Sequence, residues 1–117
     1  YTRFDYSQLV VTGGRNLGVS LKVRNAGTRA GADVPQVYLT GAAGRRVLRL
    51  IGFQRVELAP GETRTITLEA DRRLLGGFDE GRGRWSALAG VYTVTVGRYA
   101  GDSTLKGEAV LDGFDGN

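Results

Sequence analysis

Aliphatic and polar residues alternate with a period of two along most of this 117-residue chain. Leu17, Val19, Leu21 and Val23 alternate with Gly18, Ser20, Lys22 and Arg24, which places the aliphatic side chains on one face of a half-buried antiparallel strand. Asn25-Ala26-Gly27 stops it. A second run over 33–40 carries Val34, Val37, Tyr38 and Leu39, and Pro35 near its start marks an edge or a bulge, because proline has no N–H to give to a ladder. Residues 48–58 read as one further extended segment. Ala59-Pro60-Gly61-Glu62 then puts Pro and Gly at the central positions of a type II turn, and Ile66, Leu68 and Ala70 alternate with Thr65, Thr67 and Glu69 in the strand that follows. Only 71–75 has helical character, with Asp71 as N-cap, and Gly76-Gly77 ends it after about one turn. The glycine-rich stretch 76–84 reads as a connector loop, and strands follow over 91–98 and 104–111. With a first strand over 4–12 the chain has about seven short antiparallel strands, the pattern of an all-β immunoglobulin or fibronectin-like sandwich. The domain is expected over 1–111, with 112–117 as a flexible tail.

Composition narrows the chemistry. The chain holds neither cysteine nor histidine. Disulfides, thiolate or imidazole zinc sites, and Ser-His or Cys-His nucleophiles are therefore excluded within it, and no cofactor is expected. The net charge of +4 comes from 14 Arg and 2 Lys against 12 acids, spread along the chain without a long basic run. No nucleic-acid partner is expected from so dispersed a charge. No apolar run approaches the ~20 residues that cross a bilayer, so no membrane partner is expected either.

Carboxylates remain as acid–base candidates. Asp79 and Glu80 are neighbours on a loop, and Asp112 and Asp115 lie three apart; neither pair has the separation across a cleft that glycoside hydrolysis requires. The oxygen-rich end 112–117 lacks the spacing of a twelve-residue calcium loop. Trp85 is expected as a core anchor between the sheets. Trp85, Tyr99, Arg82 and Arg84 are nonetheless the residues with which a sandwich of this kind would stack on a polymer, carbohydrate included. Tyr1, Phe4 and Tyr6 cluster at the start, where aromatic residues suit an interface with a neighbouring domain. The chain opens at Tyr1 without Met and looks structured at once, which suggests a piece of a larger polypeptide.

These residues also resemble a known module. Tyr1-Thr2-Arg3-Phe4-Asp5-Tyr6-Ser7, Val23-Arg24-Asn25-Ala26-Gly27, Gln36-Val37-Tyr38-Leu39, Gly52-Phe53-Gln54-Arg55-Val56, Leu58-Ala59-Pro60-Gly61-Glu62, Phe78-Asp79, Trp85 and Gly90-Val91-Tyr92 are similar, in order, to the C-terminal fibronectin type III-like domain of family 3 glycoside hydrolases. The resemblance implies a non-catalytic accessory module. The catalytic Asp and Glu of that family lie in preceding barrel and α/β domains, so no catalytic residue falls on this chain. Its implied partners are those catalytic domains of a β-glucosidase-like parent, with Tyr1, Phe4, Tyr6, Arg49 and Phe53 as contact candidates; the compartment is not fixed by the sequence, with a secreted or periplasmic setting slightly favoured over a cytoplasmic one. An autonomous polysaccharide-binding module is the alternative. Two departures stand out: apolar Ile51 replaces a usual polar residue, and Val34-Pro35 suggests a bent or edge strand.

Overall fold

A computed structural model describes residues 3–115. Its strands are β1 (Phe4–Thr12), β2 (Gly18–Asn25), β3 (Gly31–Asp33), β4 (Gln36–Ala42), β5 (Arg45–Phe53), β6 (Val56–Leu58), β7 (Thr63–Glu69), β8 (Gly77–Asp79), β9 (Arg84–Ala87), β10 (Gly90–Gly97), β11 (Leu105–Leu111) and β12 (Phe114–Asp115). A 3-10 turn at Arg72–Leu74 is the one helical element among the described residues. Asp71 caps it as the sequence suggests, its Oδ1 accepting from Arg73 N at 2.9 Å.

The main body is a sandwich. A three-stranded antiparallel sheet in the order β1-β2-β7 packs on a four-stranded one in the order β11-β10-β4-β5. The period-two pattern does the sorting: β2 buries Val19, Leu21 and Val23, and β10 buries Tyr92, Val94 and Val96. These join Val37, Leu39, Ile51, Ile66 and Leu111 in one core. Each such side chain contributes about 1.5–3 kcal/mol when taken out of water. Ile51 reaches the core because β5 carries an extra residue there: Val37 pairs with Gly52 but Tyr38 with Leu50. That bulge gives the apolar residue an inward position.

Pro35 sits at a bend, and β3 before it lies in a two-stranded ladder whose strands are both edges. The run expected over 33–40 is split, and so is the run over 48–58: β3 pairs with β6 in a separate two-stranded ladder, while β4 pairs with β5. Asp33 lies opposite Val56 and Gln36 opposite Phe53, so the register is continuous across the gap. Proline at 35 cannot donate, and the long hairpin breaks there while Gln54 N still donates to Pro35 O at 3.3 Å.

Two other expectations change. The stretch 76–84 is not a plain loop, because Gly77–Asp79 pairs with Arg84–Ala87 as a hairpin. Gly76 is needed at its entry, since a Cβ there would lie 1.8 Å from Ser86 O. Nor is the end beyond Asp112 a loose tail as far as Asp115. β12 adds to β9 through Phe114 opposite Ala87 and Asp115 opposite Ser86, and the Arg72 guanidinium lies 4.3 Å over the Phe114 ring. Gly116 and Asn117 lie outside the described residues.

A fully buried asparagine ties the end of the sandwich together. Asn25 Nδ2 donates to Arg29 O at 2.7 Å and to Leu58 O at 3.0 Å, and its Oδ1 accepts from Gly27 N at 2.9 Å. Its backbone N donates to Glu62 O, and its carbonyl accepts from Gly61 N. Gly61 holds φ +80°, as the third residue of a type II turn must, and Glu62 N closes that turn onto Ala59 O. Tyr6 supplies a second cross-link: its hydroxyl donates to Asp33 Oδ2 at 2.5 Å, and the Arg98 guanidinium lies 4.5 Å from its ring centre.

Two outcomes follow from these cross-links. Asn25→Asp keeps the shape but turns two donors into a carboxylate facing two carbonyls. At a cost of about 3 kcal/mol or more, the thermal midpoint is expected to fall by at least about 10 °C, read by circular dichroism at neutral pH. Burial, and then the Asp33 hydrogen bond, push the Tyr6 hydroxyl above its ordinary pKa of 10.0. The folded chain therefore keeps this proton where the unfolded chain loses it, so the stabilisation is complete below about pH 10 and is lost as pH rises beyond it. Denaturant midpoints measured between about pH 9 and 11.5 should fall more steeply in the native chain than in Tyr6→Phe.

Candidate functional site

A concavity of about 490 Å³ lies between the tip of the β4–β5 hairpin and the β8–β9 hairpin. Ala43 and Gly44, with φ of +50° and +85°, form the two-residue turn of the first hairpin. Immediately after it, Arg45 pairs with Ala42 and Arg46 with Gly41, and both arginines line the groove. Arg49, opposite Leu39, enters from below. Its Nη1 donates to Leu74 O at 2.5 Å and to Gly76 O at 3.0 Å, two carbonyls freed at the end of the 3-10 turn. Leu39, Leu75 and Tyr92 supply apolar walls, and Phe78, Leu88 and Asp79 stand on the side of the small sheet. The Tyr92 hydroxyl is committed to Leu88 O at 2.6 Å.

The residues singled out from the sequence are dispersed. Tyr1 lies outside the described residues. Tyr6 is turned into the core, and Phe4 is half-buried beside it with its carbonyl accepting from Arg98 Nη2. Arg49 and Phe53 belong to the edge strand of the other sheet; Arg49 faces the groove, whereas Phe53 is 62% exposed. Leu48 and Leu50 join Phe53 as exposed apolar residues along that strand.

Trp85 is not the core anchor expected of it. It sits half-buried on β9, edge-to-face with Phe78 at 5.3 Å between ring centres, outside the buried core of the sandwich. Its place in a short three-stranded sheet, order β12-β9-β8, keeps it away from the two main sheets. Arg82 and Arg84 are on the same hairpin and turn to Asp115, Arg82 in a hydrogen-bonded ion pair and Arg84 at 3.9 Å. Tyr99, 65% exposed, lies in the loop after β10.

Four carboxylates, Glu62, Asp71, Asp102 and Asp115, are held ionised by their hydrogen-bond partners. Arg73 pulls Asp71 down to about 2 by side-chain and backbone hydrogen bonds, and Arg82 pulls Asp115 below the usual range. The Ala59 N–H does the same for Glu62, whose Oε1 it contacts at 2.8 Å, and the Arg98 N–H lowers Asp102. Every carboxylate that shifts does so downward, whereas a proton donor to a leaving sugar needs an upward shift. Among the described residues, no three carboxylates gather as a metal ion would require. Arg45 and Arg46 are residues that pattern reading passes over, and it takes Asn25 only as a stop signal. Gly41-Ala42-Ala43-Gly44 signals a stop, but only the hairpin's register shows that the arginines after it meet a second hairpin.

Comparison with known proteins places this geometry. The profile of the family described as "Fibronectin type III-like domain" matches residues 33–100. Beta-glucosidase B of Emericella nidulans is 36% identical over 96% of this chain and 14% of its own length. Thermostable beta-glucosidase B of Acetivibrio thermocellus is 32% identical over 91% of this chain and 15% of its own. Among solved structures, a GH3 beta-glucosidase of Bifidobacterium adolescentis superposes with TM-score 0.84 at 31% identity, covering 97% of this chain and 18% of that one. Beta-glucosidase 3B of Thermotoga neapolitana gives 0.83 at 34%, covering 99% and 17%. The chain thus spans less than a fifth of the relatives it matches, and it belongs to the fibronectin type III-like domains that family 3 β-glucosidases carry.

Proposed function

We propose that this chain is a non-catalytic module of a family 3 β-glucosidase-like enzyme, packed against the catalytic domains and stabilising them. The observation that carries this reading is the disproportion of the matches: nearly all of this chain aligns with about one seventh of a β-glucosidase. The edge of the four-stranded sheet supports it. Leu48, Leu50 and Phe53 expose an apolar row on β5, where an uncovered strand invites aggregation and is normally blunted or covered. The depressed carboxylates fit a framework role, since none is poised to give a proton at neutral pH.

The test has two parts. The isolated chain is expected to fold cooperatively and to leave an aryl β-glucoside unhydrolysed. In the longer polypeptide encoded by its reading frame, Leu50→Asp with Phe53→Asp is expected to lower the thermal midpoint of the catalytic part by several degrees, through loss of apolar burial. The same pair should move the isolated chain by no more than about 2 °C, as surface changes do. Hydrolysis by the isolated chain, or a longer polypeptide indifferent to both substitutions, contradicts the reading.

The exposure of Tyr99 and Phe78 favours a second reading, a polysaccharide-binding module. Retention on insoluble glycans that is lost on Tyr99→Ala or Trp85→Ala supports it, and no retention removes it.

A further inference from the structure

We propose that the groove between the β4–β5 and β8–β9 hairpins is a binding site for a carboxylate, held by Arg45 and Arg46 over the fixed guanidinium of Arg49. The proposal stands independently of the accessory-module reading, because every group it uses lies within this chain.

Charge and placement together mark the groove: among the described residues Arg15, Arg24 and Arg29 are in no ion pair either, but none of them lines it. Elsewhere, Arg3, Arg55, Arg64 and Arg73 each have a carboxylate within 3.2 Å, as suits a surface rich in both signs. In the groove, three arginines face one acid, Asp79, whose Oδ1 already accepts from Arg82 N at 3.2 Å. Among the described residues, the side chains of Arg45 and Arg46 take part in none of the hydrogen bonds or ion pairs, although both line the groove while their backbones stay in the β4–β5 ladder. Guanidinium pairs present planar forks that match a carboxylate through two parallel hydrogen bonds.

Pre-organisation adds to this. Arg49 is anchored through Nη1 to two carbonyls, so its guanidinium is fixed at the wall of the groove with little entropy left to lose. Phe78, 48% exposed, and Leu88, 64% exposed, provide apolar surface beside the cationic end. A volume near 490 Å³ falls in the range of ordinary ligand pockets. The fitting ligand is therefore a carboxylate on a compact body with an apolar face. An acidic sugar and the Glu or Asp side chain of another polypeptide segment both offer it.

The experiment is an NMR titration of the isolated chain, following the backbone amides of 45, 46 and 49 and the arginine Nε signals. Four probes are used: glucuronate, glucuronamide, glucose, and a blocked Phe-Glu-Glu tripeptide. The expected result is a saturable shift with one or both carboxylate probes, weakened at least about tenfold in Arg45→Gln/Arg46→Gln and weakened by added NaCl, as ion pairing requires. Both substituted side chains are exposed and make no internal bond, so the double variant keeps its fold, which its unaltered core amide signals verify. Tighter glucuronate identifies the acidic sugar as the source, and a tighter tripeptide identifies an acidic segment. Equal shifts with glucose or glucuronamide, affinity unchanged in the double variant, or no response to either carboxylate would overturn the site.

Discussion

The constraint on which the rest of this fold leans is the complete satisfaction of one buried amide. Asn25 is wholly shielded from water, and an amide in that position costs several kcal/mol unless each donor and acceptor is met. Here both Nδ2 hydrogens and Oδ1 are used, on Arg29, Leu58 and Gly27. The partners belong to separate pieces of chain: the end of β2, the loop after it, the end of β6 and the turn into β7. The bend at Pro35 can release β3 and β6 from the main sheet only because this knot catches β6 again at Leu58. Ala26 N donating to Arg3 O at 2.7 Å brings the start of β1 into the same arrangement.

Much of this was legible because it is local. The alternation in β2, β7 and β10 needs only a period of two, the Pro60-Gly61 turn needs only its own φ values, and Asp71 caps a turn two residues away. What pattern reading missed depends on partners distant in sequence. β8 and β12 are two or three residues long and contain glycine or end near it, so neither has a periodic signal; they exist because β9 lies between them. Trp85 looked like a core residue by size, but size does not say which sheet a strand joins. Asn25 looked like a stop signal, which it is, yet its more consequential partner Leu58 is 33 residues away.

The division of labour over the surface follows from the same architecture. The inner faces of the two sheets are consumed by the core. The edge strand β5 is left with one face toward Leu48, Leu50 and Phe53 and the other toward Arg49, so a single strand borders both the apolar row and the cationic groove. Arg49 joins the two regions mechanically, since it fixes the 3-10 turn from which the β8–β9 hairpin departs. The sequence offered Arg49 only as a contact to a neighbouring domain, and Arg45 and Arg46 acquire meaning only when the small sheet is folded against the hairpin tip.

Native-state amide hydrogen exchange of Gly27 and Gly61 tests the central place of Asn25 most directly. Both amides lie in loops, where exchange is ordinarily fast, and both donate to Asn25, one to its side chain and one to its carbonyl. If the knot holds the fold together, the two amides exchange only on global unfolding, with the same protection as Val94 in the centre of β10. Exchange of either amide by local opening, far faster than Val94, would contradict the account.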